Sequence, residues 1–158
     1  MNVPFMNLIE ERVFLQTHPE SLFTFYVVIV PDKNGKVMHY YFKAYEFGRL
    51  FNVSKPHTKI RNSLSSQFYI EWSNIKNYFK LDGNEIDTSK WTDRNLFLTE
   101  TGLLMFMSNA SLPLKSTLVT YINRYLKPKI YVTMSLMRYE NIIFRRFMLL
   151  LFLCRPSI

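Results

Sequence analysis

Tyr40-Tyr41-Phe42-Lys43-Ala44-Tyr45-Glu46-Phe47-Gly48-Arg49-Leu50-Phe51-Asn52-Val53-Ser54-Lys55-Pro56-His57-Thr58-Lys59-Ile60-Arg61 is the stretch on which the fold turns. It reads as a strand ending in Phe42-Lys43-Ala44, a short amphipathic helix, a Ser54-Lys55-Pro56 break and a second helix. Ala44, Phe47, Leu50 and Phe51 share one side at helical spacing. Ser54 is a candidate N-cap and Pro56 is tolerated in a first turn, so the second helix should run from Ser54 to about Ser65. Ile60 and Leu64, four apart, turn inward, while Lys55, Lys59 and Asn62 share the opposite side. With His57 and Arg61 the second helix is basic. Two short helices meeting at a tight break, the second one basic, commonly present a helix to nucleic acid.

Upstream, Leu22 to Val30 is β-branched and aromatic, and Asp32-Lys33-Asn34-Gly35-Lys36 supplies a hairpin turn that returns the chain through Val37 to Lys43. In the returning strand Met38, Tyr40 and Phe42 share one face. His39, Tyr41 and Lys43 share the other, which is expected to be free to face a partner. Downstream, Phe68 to Ile75 alternates weakly and is expected to be a strand. Lys76 to Asn95, with Asp82-Gly83-Asn84, is expected to be a loop. Leu96-Phe97-Leu98 should be a short strand, after which Thr99 caps a helix from Glu100 to Ser108. A further helix from Leu114 to Leu126 is expected to stop at Pro128. The fold class that results is α+β, a small antiparallel sheet with several short helices in a single domain.

Composition narrows the function classes. The 158 residues suffice for one core, and 48% hydrophobic with 16% aromatic residues is too apolar for a disordered chain. A net charge of +8 favours polyanionic partners, nucleic acid before an acidic membrane surface. No Asp or Glu occurs between Glu100 and Glu140, where Lys115, Arg124, Lys127, Lys129 and Arg138 lie. Cys154 alone, with three scattered histidines, makes neither a disulfide framework nor a zinc spacing, and a reducing intracellular compartment is expected. Met1 to Glu11 lacks the basic flank of a signal peptide. Arg145-Arg146 interrupt the apolar stretch Ile142 to Cys154, so no transmembrane helix is expected. With no nucleophile and base pair and no Gly-rich phosphate loop, no enzymatic activity and no cofactor are expected.

The ordered pieces resemble the BRO N-terminal domain, the DNA-binding module of baculovirus repeated-ORF proteins and of related phage and large-DNA-virus proteins. The resemblance rests on Gly35 in the hairpin turn, Tyr41-Phe42-Lys43-Ala44 leading into a helix, and Asn52-Val53-Ser54-Lys55-Pro56 leading into a basic helix. Leu98-Thr99-Glu100-Thr101-Gly102-Leu103 and Tyr125-Leu126-Lys127-Pro128-Lys129-Ile130 complete it, over roughly Leu22 to Thr133. It implies a small α+β domain that binds DNA with little sequence preference, in a virus-encoded protein acting in the host nucleus and cytoplasm. Residues 1–21 are then expected to be an N-terminal extension, 22–133 the DNA-binding domain, and 134–158 an apolar C-terminal helix or tail.

The expected DNA-binding residues are Lys55, His57, Lys59, Arg61 and Asn62 on the basic helix, assisted by Lys43 at the hairpin end. A second edge would comprise Lys115, Arg124, Lys127 and Lys129. The DNA could be double- or single-stranded. Tyr40, Tyr41, Tyr69 and Trp72 could stack on bases, although buried aromatic core is the stronger expectation. The competing reading is a non-enzymatic viral interaction protein whose apolar C-terminal segment serves homo-oligomerisation or association with a membrane surface.

Overall fold

The computed structural model describes residues 4–16, 21–81 and 86–154, without the side chains of residues 141, 144, 145 and 148. The protein is α+β. Six strands, β1 (Phe5–Leu15), β2 (Ser21–Pro31), β3 (Met38–Lys43), β4 (Tyr69–Glu71), β5 (Lys80–Leu81) and β6 (Leu96–Leu98), form one sheet in the order β4-β6-β3-β2-β1-β5. All neighbours are antiparallel except β1 and β5. Six helices complete the described chain: α1 (Ala44–Leu50), α2 (Pro56–Ser63), α3 (Trp72–Lys76), α4 (Glu100–Phe106), α5 (Leu112–Tyr121) and α6 (Lys127–Leu153).

The hairpin between β2 and β3 forms as its sequence dictates. Gly35 takes φ 66° at the tip, and Asp32 Oδ1 accepts from the Lys36 and Val37 amides at 2.9 and 3.3 Å. β2 then alternates cleanly: Phe25, Val27 and Ile29 enter a large core, while Val28 and Val30 enter a smaller one on the other face. That second core, built around Trp72, Ile75 and Phe97, changes the expectation for β3. Tyr41 packs against it and Lys43 is buried beside Tyr26, Tyr45 and Trp91, so of the face expected to be free His39 alone stays exposed.

Residues 1–21 are not merely an extension. Within them β1 pairs with β2 from Asn7–Ile29 to Leu15–Ser21 and belongs to the sheet. Its alternation is concealed because the buried face changes along its length. Met6 and Leu8 enter the small core, whereas Val13 and Leu15 enter the large one. Residues 1–3 and 17–20 lie outside the described part.

Three other expectations are corrected. Phe68 to Ile75 is a strand only at β4, being flanked by a 3-10 turn over Ser66–Phe68 and by α3, because Trp72 and Ile75 must both reach the small core from a helical turn. The expected loop from Lys76 to Asn95 contains β5, and its Asp82-Gly83-Asn84 lies outside the described residues. Pro128 does not stop the helix before it. A five-residue π segment, Ile122–Leu126, joins α5 to α6 and loosens the backbone where the proline lacks its N–H. Pro128 then occupies the first turn of α6, which tolerates it.

Of the expected C-terminal helix or tail, residues 155–158 lie outside the described part, and residues 134–153 are helix, the continuation of α6, whose 27 residues begin at Lys127. At 1.5 Å per residue α6 is about 40 Å long. Ile130, Met134 and Met137 bury it against the large core, and beyond them its described side chains are exposed. Among the described residues no helix is long and apolar enough to cross a membrane.

Candidate nucleic-acid interface

The geometry of α1 and α2 is set by backbone constraints. Gly48 lies so close to α2 that a Cβ there would stand 2.6 Å from Pro56 Cβ, a distance no real pair occupies. The connection closes with the Val53 amide donating to Gly48 O at 2.9 Å, and both Asn52 and Lys55 take left-handed backbone, φ 55° and 52°. Asn commonly adopts that region and Lys does so rarely, so the connection holds Lys55 in a strained conformation. The expected cap is also revised: the residue preceding α2 is Lys55, not Ser54, and no side chain caps it.

Ile60 and Leu64 anchor α2 in the large core. Thr58, Lys59 and Asn62 share the exposed outer face of α2, and Lys55, also exposed, stands immediately before it. Thr58 was absent from the sequence expectation, although its place four residues before Asn62 points to it. Beside this face lies a recess of about 300 Å³ lined by Phe51, Asn52, Ser54, Lys59, Phe106 and Asn109. Among the described residues, no carboxylate pairs with Lys55 or Lys59.

The other residues of the expected basic helix fare differently. Arg61 donates to Glu71 Oε1 at 2.5 Å, and that hydrogen bond lowers the pKa of the Glu71 carboxyl. His57 is half-buried, its Nε2 without a partner. Burial, then the positive charges of Arg61 and Lys43, lower its pKa below the ordinary histidine value. It is therefore neutral at pH 7, which corrects its expected place among the DNA-binding cations.

Lys43 must be corrected most firmly. Its side chain is 4% exposed, its Nζ is 2.6 Å from Glu46 Oε1, and it lies 5.0 Å from the Trp91 ring centroid and 5.2 Å from that of Tyr45. A buried ammonium paired this way is internal structure and offers nothing to a phosphate.

The second edge is likewise largely consumed. Lys127 donates to Glu100 Oε1 at 2.9 Å, while Tyr40 donates to the other oxygen of that carboxylate. Lys129 donates to Glu11 Oε1 at 2.5 Å, while Tyr121 donates to Glu11 Oε2. These two Tyr–Glu–Lys units fasten the start of α6 to the sheet and to α4. Burial, then the neighbouring carboxylate, raises the pKa of both tyrosines, so both remain donors. Lys115 donates to Ser108 O at 3.2 Å, just past the carbonyl end of α4, where a cation is favoured. Arg124 alone of that edge is exposed with no paired carboxylate among the described residues. Glu11 and Glu100 as partners could not be read from local pattern, since each is distant in sequence from its lysine.

Of the aromatics considered for stacking, Trp72 is buried and Tyr40, Tyr41 and Tyr69 pack against the two cores. Among the described residues, no group of three His, Cys, Asp or Glu gathers to hold a metal ion. Comparison of the chain with protein-family models, curated proteins and solved structures finds no match.

Proposed function

We propose that the protein binds DNA through the outer face of α2, with Lys55 and Lys59 on backbone phosphates and Thr58 and Asn62 beside them. The observation that carries the reading is local: this helix face and the residue before it carry two lysines with no paired carboxylate among the described residues, next to an open recess. The motif order that resembles the BRO N-terminal domain supports the same partner and a virus-encoded protein of the infected cell's nucleus and cytoplasm. Binding, not catalysis, is the role this face suits, because its groups are cations and neutral donors.

These two lysines, unpaired among the described residues, bound the strength of the binding at this face. Each neutralised phosphate contributes about 0.9 to the slope of log affinity against log salt, so Lys55 and Lys59 together supply about 2. One such face gives weak, sequence-tolerant binding.

The test is a salt series with labelled duplex and single-stranded DNA, run beside a control protein of the same net charge. Binding above the control is expected, and a folded Lys55→Ala/Lys59→Ala variant should lose affinity and about 2 units of slope. Unchanged binding by that variant would refute the site. A second reading, an interaction protein that uses its apolar C-terminal segment, is favoured by the exposure of Ile142, Phe147, Leu150 and Leu153 on α6.

A further inference from the structure

From Val132 onward α6 carries exposed apolar residues on the side away from the core. Val132 is 60% exposed, Leu136 57%, Tyr139 61%, Ile143 48%, Phe147 57% and Leu150 60%. At about 100° per residue these six fall within roughly 40° of one another's mean direction, on the side opposite Ile130, Met134 and Met137. Together with Leu149 and the turn Leu151–Leu153 they expose on the order of 1,000 Å² of apolar surface, more than the ~300–600 Å² patch of an ordinary monomer and enough for the ~800 Å² per partner of a stable interface.

The order of residues in this strip is self-complementary about Ile143. Leu136 and Leu150 stand seven residues to either side, and Tyr139 and Phe147 four to either side. Glu140 and Arg146, three to either side, lie at opposite edges of the strip as a polar rim. A strip that reads the same way in both directions is what an isologous pairing of two identical antiparallel helices requires.

We infer that two copies of this chain associate through α6, antiparallel, about a two-fold axis at Ile143. Leu136 then packs on the partner's Leu150, Tyr139 on the partner's Phe147, and the two Ile143 side chains meet at the axis. The direction follows from two further features. The last turns of α6 are apolar all round, through Leu149, Leu151, Phe152 and Leu153, so one neighbouring helix cannot cover them. An antiparallel partner brings its folded body to that end, where its exposed Tyr131 and Val132 can help to cover them. A parallel pair would leave both ends in water and set two bodies of charge +8 side by side.

Cys154, exposed at the end of α6, decides the direction experimentally. In the antiparallel pair each Cys154 lies eleven residues past Ile143 and faces the partner's Val132, eleven residues before it. The two Cys154 residues are then about 33 Å apart. The full chain should sediment as a dimer that dissociates on dilution, and Ile143→Asp should make it monomeric with an unchanged helical circular-dichroism spectrum. Mild oxidation should leave the wild type uncrosslinked and should link Val132→Cys protomers through Cys154. A monomer over the whole concentration range, a dimer unaffected by both Ile143→Asp and Leu150→Asp, or a Cys154–Cys154 crosslink in the wild type would each overturn the proposal. So would a monomer that co-sediments with phosphatidylserine vesicles and loses them on Ile143→Asp, because the occupant of the strip would then be a membrane.

Discussion

The outer face of α2 and the beginning of α6 look alike in sequence, each a short basic run with a proline in it, yet the fold treats their charges in opposite ways. Lys55 and Lys59 stand in solvent, whereas Lys127 and Lys129 close on Glu100 and Glu11, the latter 3% exposed. The difference teaches that a count of lysines measures a field only when their carboxylate partners are known. A net charge of +8 is therefore a poor guide to where a polyanion would lie.

Substitutions at the two kinds of lysine should separate them. The largest effect is expected from Lys43→Ala, which leaves Glu46 partly buried without its cation and empties a site among three aromatic rings. It should cost about 3 kcal/mol in urea denaturation. A loss below about 0.5 kcal/mol would mean that Lys43 is solvated after all.

Lys129→Ala is expected to cost about 2 kcal/mol, because the buried Glu11 carboxylate keeps only its Tyr121 donor. Lys55→Ala in the same assay should stay within about 0.5 kcal/mol. The same pair inverted in a DNA salt series, Lys55 mattering and Lys129 not, would sharpen the contrast. Equal effects in both assays would break it.

The smallest expected effect concerns His57. Its folded pKa is depressed relative to the unfolded chain, so the unfolded state binds the extra proton first as pH falls. Stability from the neutral imidazole is full above the unfolded value of about 6.5 and is lost as pH drops through it toward the folded value. The urea midpoint of His57→Gln should therefore change less than that of the wild type between about pH 7.5 and about pH 5.5. Equal changes would show that folding leaves the His57 pKa at its unfolded value.

The legible parts of the fold were those whose cause is local. The Asp32–Gly35 turn, the alternation of β2 and the Thr99 cap, whose Oγ1 accepts from the Gly102 amide at 3.0 Å, each need only neighbours in sequence. β1 escaped because it changes its buried face midway, and α3 because Trp72 is drawn into a core that no single segment announces. The outer face of α2 was legible as a polar stripe. The withdrawal of Arg61, Lys127 and Lys129 was not, since their carboxylates lie ten or more residues away. That of Lys43 was not because its burial under Tyr26 and Trp91, rather than its neighbour Glu46, removes it from the surface.

By itself the sequence determined an α+β chain with its hairpin, its two short helices and the helix after Thr99, because backbone propensity, turn chemistry and hydrophobic period act over a few residues. Only the tertiary structure decided that both faces of the sheet are covered, that a π segment carries the last helix past Pro128, and which lysines remain free. For Lys127 and Lys129 that last outcome depends on carboxylates more than twenty residues away in the chain, Lys127 meeting Glu100 at 2.9 Å and Lys129 meeting Glu11 at 2.5 Å. Electrostatic and packing energies fall steeply with distance in space, and distance in space is what the linear sequence does not contain.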